Sequence, residues 1–115
     1  MFKLMPILLL VLVGCKKATS DDEVPYSAPD LTVVLGAGEV LAGVVVDEES
    51  LFGGISAEGQ LGDFKIYNDR AQFIVQAVRE SSYYVELGGG VIDADAVRPP
   101  GELGRDRVDD LVATF

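Results

Sequence analysis

The sequence predicts a mainly β fold, a small antiparallel, sandwich-like sheet domain closed by a short C-terminal helix. Three observations carry this expectation. Thirteen of the 115 residues are glycine, about 11% where ~7% is usual. β-Branched and aromatic residues gather in short runs of strand length. Glycines or an Asn-Asp pair separate these runs, and such residues make tight turns at little steric cost.

Taken in order, the folded part is expected over residues 31–115. Leu31 to Leu35 and Val40 to Val46 are β-branched runs joined by Gly36-Ala37-Gly38-Glu39, which reads as two strands and a glycine turn. Asp47 to Ser50 is a charged loop, and 51–62 is too often interrupted by glycine for a clear assignment. Asp63 to Arg79 reads as a hairpin. Phe64-Lys65-Ile66 alternates apolar and polar, Asn68-Asp69 forms the turn, and Ala71 to Val78 resumes the β pattern. In the second arm Phe73, Val75 and Ala77 share one face, and Gln72, Ile74, Gln76 and Val78 share the other.

Tyr83 to Leu87 is expected to be a further strand, Gly88-Gly89-Gly90 a turn, and Val91-Ile92 the start of another strand. Two prolines and two glycines in 98–104 exclude regular structure there. Asp106 then stands as an N-cap, with Val108, Leu111, Val112 and Phe115 at i, i+3, i+4 and i+7. That spacing predicts one apolar stripe of a short helix, with an extended segment over 111–115 as the rival reading.

The first thirty residues are different in kind. A basic start, Met1-Phe2-Lys3, precedes ten uninterrupted apolar or proline residues from Leu4 to Val13. As a helix that run would cover ~15 Å, half of a ~30 Å hydrocarbon core, so it fits a secretory signal peptide better than a membrane span. Residues 16–30 are polar, hold Pro25 and Pro29, and show no apolar period. They read as a disordered tether with an end-to-end distance of ~20 Å.

Leu12-Val13-Gly14-Cys15 resembles the lipobox of bacterial lipoprotein signal peptides. The resemblance covers residues 1–17. It implies that 1–14 is removed and that Cys15, the chain's single cysteine, carries diacylglyceryl and fatty acyl (palmitate-type) chains. Two or more chains on one residue anchor a protein stably, so the implied partner is membrane lipid. Lys16 and Lys17 would sit beside anionic headgroups. Lys16, where an Asp would retain the protein at the inner membrane, implies outer-membrane sorting if the source is Gram-negative.

Composition removes several function classes. Nine basic against nineteen acidic residues leave a net charge of −10, which disfavours nucleic acid as a partner. The chain has no histidine, so Ser-His and Cys-His catalysis and imidazole metal sites are excluded. A single cysteine forms neither an intrachain disulfide nor a thiolate cage. Gly36-x-Gly38 starts a dinucleotide fingerprint but has Leu41 where the third glycine belongs. No catalytic or cofactor-binding residue is assigned.

Asp93 and Asp95 are the weak candidates for calcium, with Asp106, Asp109 and Asp110 near in sequence. As an EF-hand loop the stretch fails, because Arg98 replaces the turn glycine. Two carboxylates acting as the acid and base of a glycosidase are formally available, but spacing selects no pair. Tyr83-Tyr84 puts one aromatic on each face of a strand, where packing is the commoner fate and stacking on a sugar or partner the rarer one.

Residues 62–76 with Gly88 to Asp93 are similar to the start of galactose-mutarotase-like supersandwich domains. They are also similar to the N-terminal part of long myxobacterial-type envelope lipoproteins. The resemblance implies a β-sandwich class and a chain that continues, and it transfers no catalytic residue. The functional expectation is therefore a lipid-anchored cell-envelope protein, a non-catalytic structural or binding module with a protein or glycan partner. The alternative is the N-terminal piece of a larger secreted lipoprotein enzyme, carbohydrate-active or peptidase, with its catalytic residues beyond Phe115.

Overall fold

The computed structural model describes residues 26–80 and 87–111. Their organising element is one four-stranded antiparallel sheet in the order β1 (Val40–Val44), β2 (Phe64–Asn68), β3 (Ala71–Val75) and β4 (Val91–Ala96). The domain is thus mainly β, and each strand lies beside its neighbour in sequence.

The β2–β3 hairpin forms where turn chemistry and alternation agree. Asn68 Oδ1 accepts from the backbone N–H groups of Arg70 and Ala71, both at 2.8 Å, and so closes the turn with its own side chain. Lys65 then faces Ile74 and Ile66 faces Phe73. On the far side, Gly88 and Gly89 take φ of 86° and 89°. A β-carbon on Gly88 would collide with the carbonyl of Ala77, so glycine is required there.

Between β3 and β4 the register slips. Ile74 pairs with Asp93 but Val75 pairs with Val91, which leaves Ile92 as the extra residue of a β-bulge. A bulge turns two consecutive side chains toward one face, and Ile92 and Asp93 are both 1% exposed. An apolar residue and a carboxylate therefore enter the same interior.

Three irregular segments, 26–39, 45–63 and 97–111, pack beside the sheet, and 76–80 with 87–90 flank β3 and β4. The three segments cover one face of the sheet and bury Leu31, Val45, Tyr67, Ile74 and Ile92, with Leu35, Leu41, Leu51 and Phe52 packed against them. A single 3-10 turn, Glu48–Ser50, interrupts the second segment and is capped by Asp47, whose Oδ1 accepts from Ser50 N and Oγ.

Two expectations are corrected. Leu31 to Leu35 is not a strand. Asp30 Oδ1 takes the Thr32 N–H and hydroxyl, which makes a turn, and Val33's carbonyl accepts from the Tyr67 hydroxyl at 2.7 Å. Backbone groups that a strand would pair are satisfied by side chains instead. The glycine turn does form, with Glu39 N donating to the Gly36 carbonyl, but β1 pairs with β2 and not with 31–35.

The C-terminal helix is not formed over 106–111. Asp106 N donates to the Gly53 carbonyl, Ser56 N donates to the Asp106 carbonyl, and Leu111 N donates to the Val91 carbonyl at 2.9 Å. These partners are distant in sequence, and they win over the i→i−4 bonds that a helix needs. Leu111 is 66% exposed, so the expected apolar stripe is not a packed one at that position. Residues 112–115 lie outside the described residues, as do Cys15, the tether up to residue 25 and the Tyr83-Tyr84 pair.

Candidate functional site

Strand alternation divides the sheet into two faces of opposite character. Leu41, Gly43, Lys65, Tyr67, Gln72, Ile74, Asp93 and Asp95 point toward the covering loops. Val40, Ala42, Val44, Phe64, Ile66, Phe73, Val75 and Ala94 point the other way. The covered face therefore carries the charge, and the outer face is apolar apart from Asn68 at its rim. Phe64, Ile66 and Phe73 remain 39–45% exposed.

Each buried charge on the inner face has specific partners. Asp63, 1% exposed, accepts from Gln60 N and Ala77 N at 2.9 Å each, and its Oδ2 meets the Arg79 guanidinium at 2.8 Å. It ties both ends of the hairpin to the loop before it. Lys65 is 6% exposed. Its ammonium donates to the Ser50 carbonyl at 2.7 Å and the Leu31 carbonyl at 3.2 Å, and it lies 4.6 Å from the centre of the Tyr67 ring. Burial holds this ammonium below the usual lysine range, with the charge of Asp47 acting in the opposite sense.

At the other end of the same face, Asp93 Oδ1 accepts from Glu58 N and its Oδ2 from Gly59 N, at 2.8 and 2.7 Å. A β-carbon at Gly59 would come 2.7 Å from that Oδ2, so the loop reaches the carboxylate only because it has glycine there. Asp106 is fully buried. Its Oδ1 accepts from Ala94 N and Val108 N at 3.0 Å, and its Oδ2 is buried with no partner. Asp106 thereby stands beside Asp93, since the N–H it holds is that of Ala94, the next residue along β4. Burial, and then the facing Asp106 charge, raise the Asp93 carboxyl above its ordinary range against the two backbone donors.

Asp95, the other calcium candidate, is engaged differently. Its oxygens accept from Arg98 at 2.7 and 3.1 Å and from the Ala96 and Arg105 N–H groups. The Arg98 hydrogen bonds hold its carboxyl below the ordinary range. Strand period puts Asp93 and Asp95 on one face, but N–H donors surround both, whereas calcium needs converging oxygens. Among the described residues no group of three or more acidic, histidine or cysteine side chains is placed to hold a metal ion.

A cleft of about 430 Å³ opens beside Lys65, lined by Tyr67, Gln72, Phe52, Leu31 and Arg98 among others. Sequence reasoning missed Lys65 and the Asp93–Asp106 pair. A usable signal existed only for Asp63 and Arg79, opposite charges at the two ends of the expected hairpin. The chemistry within reach of these groups is proton holding and cross-linking of loops by hydrogen bonds. Comparison with protein families, curated proteins and solved structures finds no match to this chain.

Proposed function

We propose that the protein is a lipid-anchored cell-envelope protein whose folded part is a non-catalytic binding module. The anchor reading rests on Leu12-Val13-Gly14-Cys15. The observation that carries the binding reading is the outer face of the sheet, apolar apart from Asn68 and without a charged side chain. In a chain where 24% of residues are charged, a flat uncharged patch with half-exposed aromatics is the exception, and such patches are where partners bind. A second β-layer laid on this face would complete the sandwich-like architecture. The buried carboxylates support a non-catalytic role, since Asp93 and Asp106 are at most 1% exposed and lie under loops that a substrate would have to displace.

Two experiments test the two halves. Cys15→Ser should abolish incorporation of labelled fatty acid and shift the protein from the detergent to the aqueous phase on partitioning. Equal labelling and partitioning of the two forms would sink the anchor. Ile66→Lys combined with Phe73→Lys should leave cooperative unfolding intact and remove binding of an apolar reporter dye to the native state. Loss of the fold would show instead that the face is core.

A further inference from the structure

The orphan oxygen of Asp106 raises a question that the rest of the inner face does not. A buried carboxylate oxygen without a donor costs free energy, and here a second buried carboxylate, Asp93, precedes the residue whose N–H the other Asp106 oxygen accepts. Two ionised carboxylates side by side, both sealed from water, repel at close range in a poorly screening interior. Something positive must lie between them.

The donor set selects what it is. Three of the four oxygens already face backbone N–H groups: Glu58 and Gly59 on Asp93, Ala94 and Val108 on Asp106. A divalent cation would be surrounded by like-signed N–H dipoles and would find too few oxygens. A proton needs only the one oxygen that lacks a donor. We propose that Asp93 and Asp106 form a binding site for a single proton, held between Asp106 Oδ2 and the Asp93 carboxylate.

That proton satisfies every oxygen of the pair at once. It also closes a four-way junction. Asp93 carries β4 to the 58–59 loop, Asp106 carries the 106–108 segment to β4, and the Asp106 backbone bonds Gly53 and Ser56. Removing the proton puts two negative charges at the point where these segments meet. The pair is then a pH-dependent lock on the loops that cover the inner face.

The other charges around the pair do not substitute for it. Glu58 on the loop and Arg105 and Arg107 beside Asp106 are exposed. Asp95 on β4 is held by Arg98. β3 and the residue after it bring only Gln72, Ile74 and Gln76 to this side. Lys65 lies one strand further, across Ile74, and donates to Leu31 and Ser50. A pair that binds its proton more tightly when folded releases it on unfolding, so stability falls as pH rises. The contribution is complete below the ordinary carboxyl value of 3.8 and is lost as pH passes through the raised native value.

The test is urea unfolding of the full chain across the acidic to mildly alkaline range, for the native sequence and for Asp106→Asn. The amide of this variant keeps an acceptor for Ala94 and Val108 and sets a permanent N–H toward Asp93. Above the ordinary carboxyl range the native sequence should lose stability, with its unfolding constant rising by up to about tenfold per pH unit, and Asp106→Asn should lack that limb. An unchanged limb in the variant, or none in the native sequence, overturns the proposal. If the variant does not fold, carbon-13 titration of the native carboxyls decides. One proton retained above the ordinary range supports the site, and two ordinary titrations refute it. A saturable gain in stability with calcium chloride that Asp106→Asn abolishes would assign the site to a cation and also overturn the proposal.

Discussion

The two faces of this sheet reverse the usual arrangement. The inner face buries Asp63, Lys65 and Asp93, and the outer face leaves Phe64, Ile66 and Phe73 half open. Side-chain polarity alone does not say which of them is covered. What decides is the supply of partners. Segments 26–39, 45–63 and 97–111 bring carbonyls to Lys65 and N–H groups to the aspartates, so burial of charge is offset bond by bond. Nothing comparable is required of an apolar face, which waits only for a surface to cover it.

The contrast can be broken most severely at Asp63. Asp63→Ala leaves Arg79 without this carboxylate and strands two backbone N–H groups, each at a cost of ~1–3 kcal/mol. Urea midpoints should show a loss of that size; a loss near zero would mean the inner-face carboxylates are not structural. Next is Ile74→Ala. The residue is fully buried at the centre of the inner face, and such truncation costs ~2–5 kcal/mol. The companion change one residue earlier, Phe73→Ala, should cost markedly less, because its ring is already 39% exposed. Equal penalties at 73 and 74 would erase the distinction between the faces.

A smaller effect is expected in the hairpin turn. Asn68→Ala removes the acceptor of two N–H groups, each bond worth ~0.5–1.5 kcal/mol, and water can replace it at this exposed position. Thermal unfolding should register a modest drop. The smallest effect is an acid limb at Asp95. Its folded value is lowered by Arg98, so its contribution is present above the ordinary 3.8 and is lost as pH falls below it. Asp95→Asn should flatten that limb and leave in place the one above the ordinary carboxyl range, assigned to the proton site at Asp93 and Asp106. Disappearance of both limbs together would show that the two sites are not independent.

The hairpin was legible in the sequence because its causes are local. Alternation over 64–66 and 71–78 and the Asn68 turn lie within a few residues of one another. The glycine turns at 36–38 and 88–90 were readable for the same reason. The expected helix after Asp106 failed because its competitors, Gly53 and Val91, are remote in sequence. The strand at 31–35 failed because Asp30 and Tyr67 claim its polar groups. Which face is buried was invisible for a related reason. Gln72 and Ile74 on one side and Phe73 and Val75 on the other form equally plausible interiors until the loops are placed. The Asp93–Asp106 pair depends on a bulge at Ile92 and on the path of 104–108, neither of which has a sequence signal.

Thiol labelling tests the reversed faces most directly. In a Cys15→Ser background, single cysteines are placed by Ile66→Cys and Phe73→Cys on the outer face, and by Lys65→Cys and Ile74→Cys on the inner. Under native conditions the first two should react with a water-soluble maleimide at close to the unfolded rate. The second two should react only through unfolding, at least a hundredfold more slowly for a domain stable by ~3 kcal/mol or more. Protected thiols at 66 and 73 with reactive thiols at 65 and 74 would contradict the account.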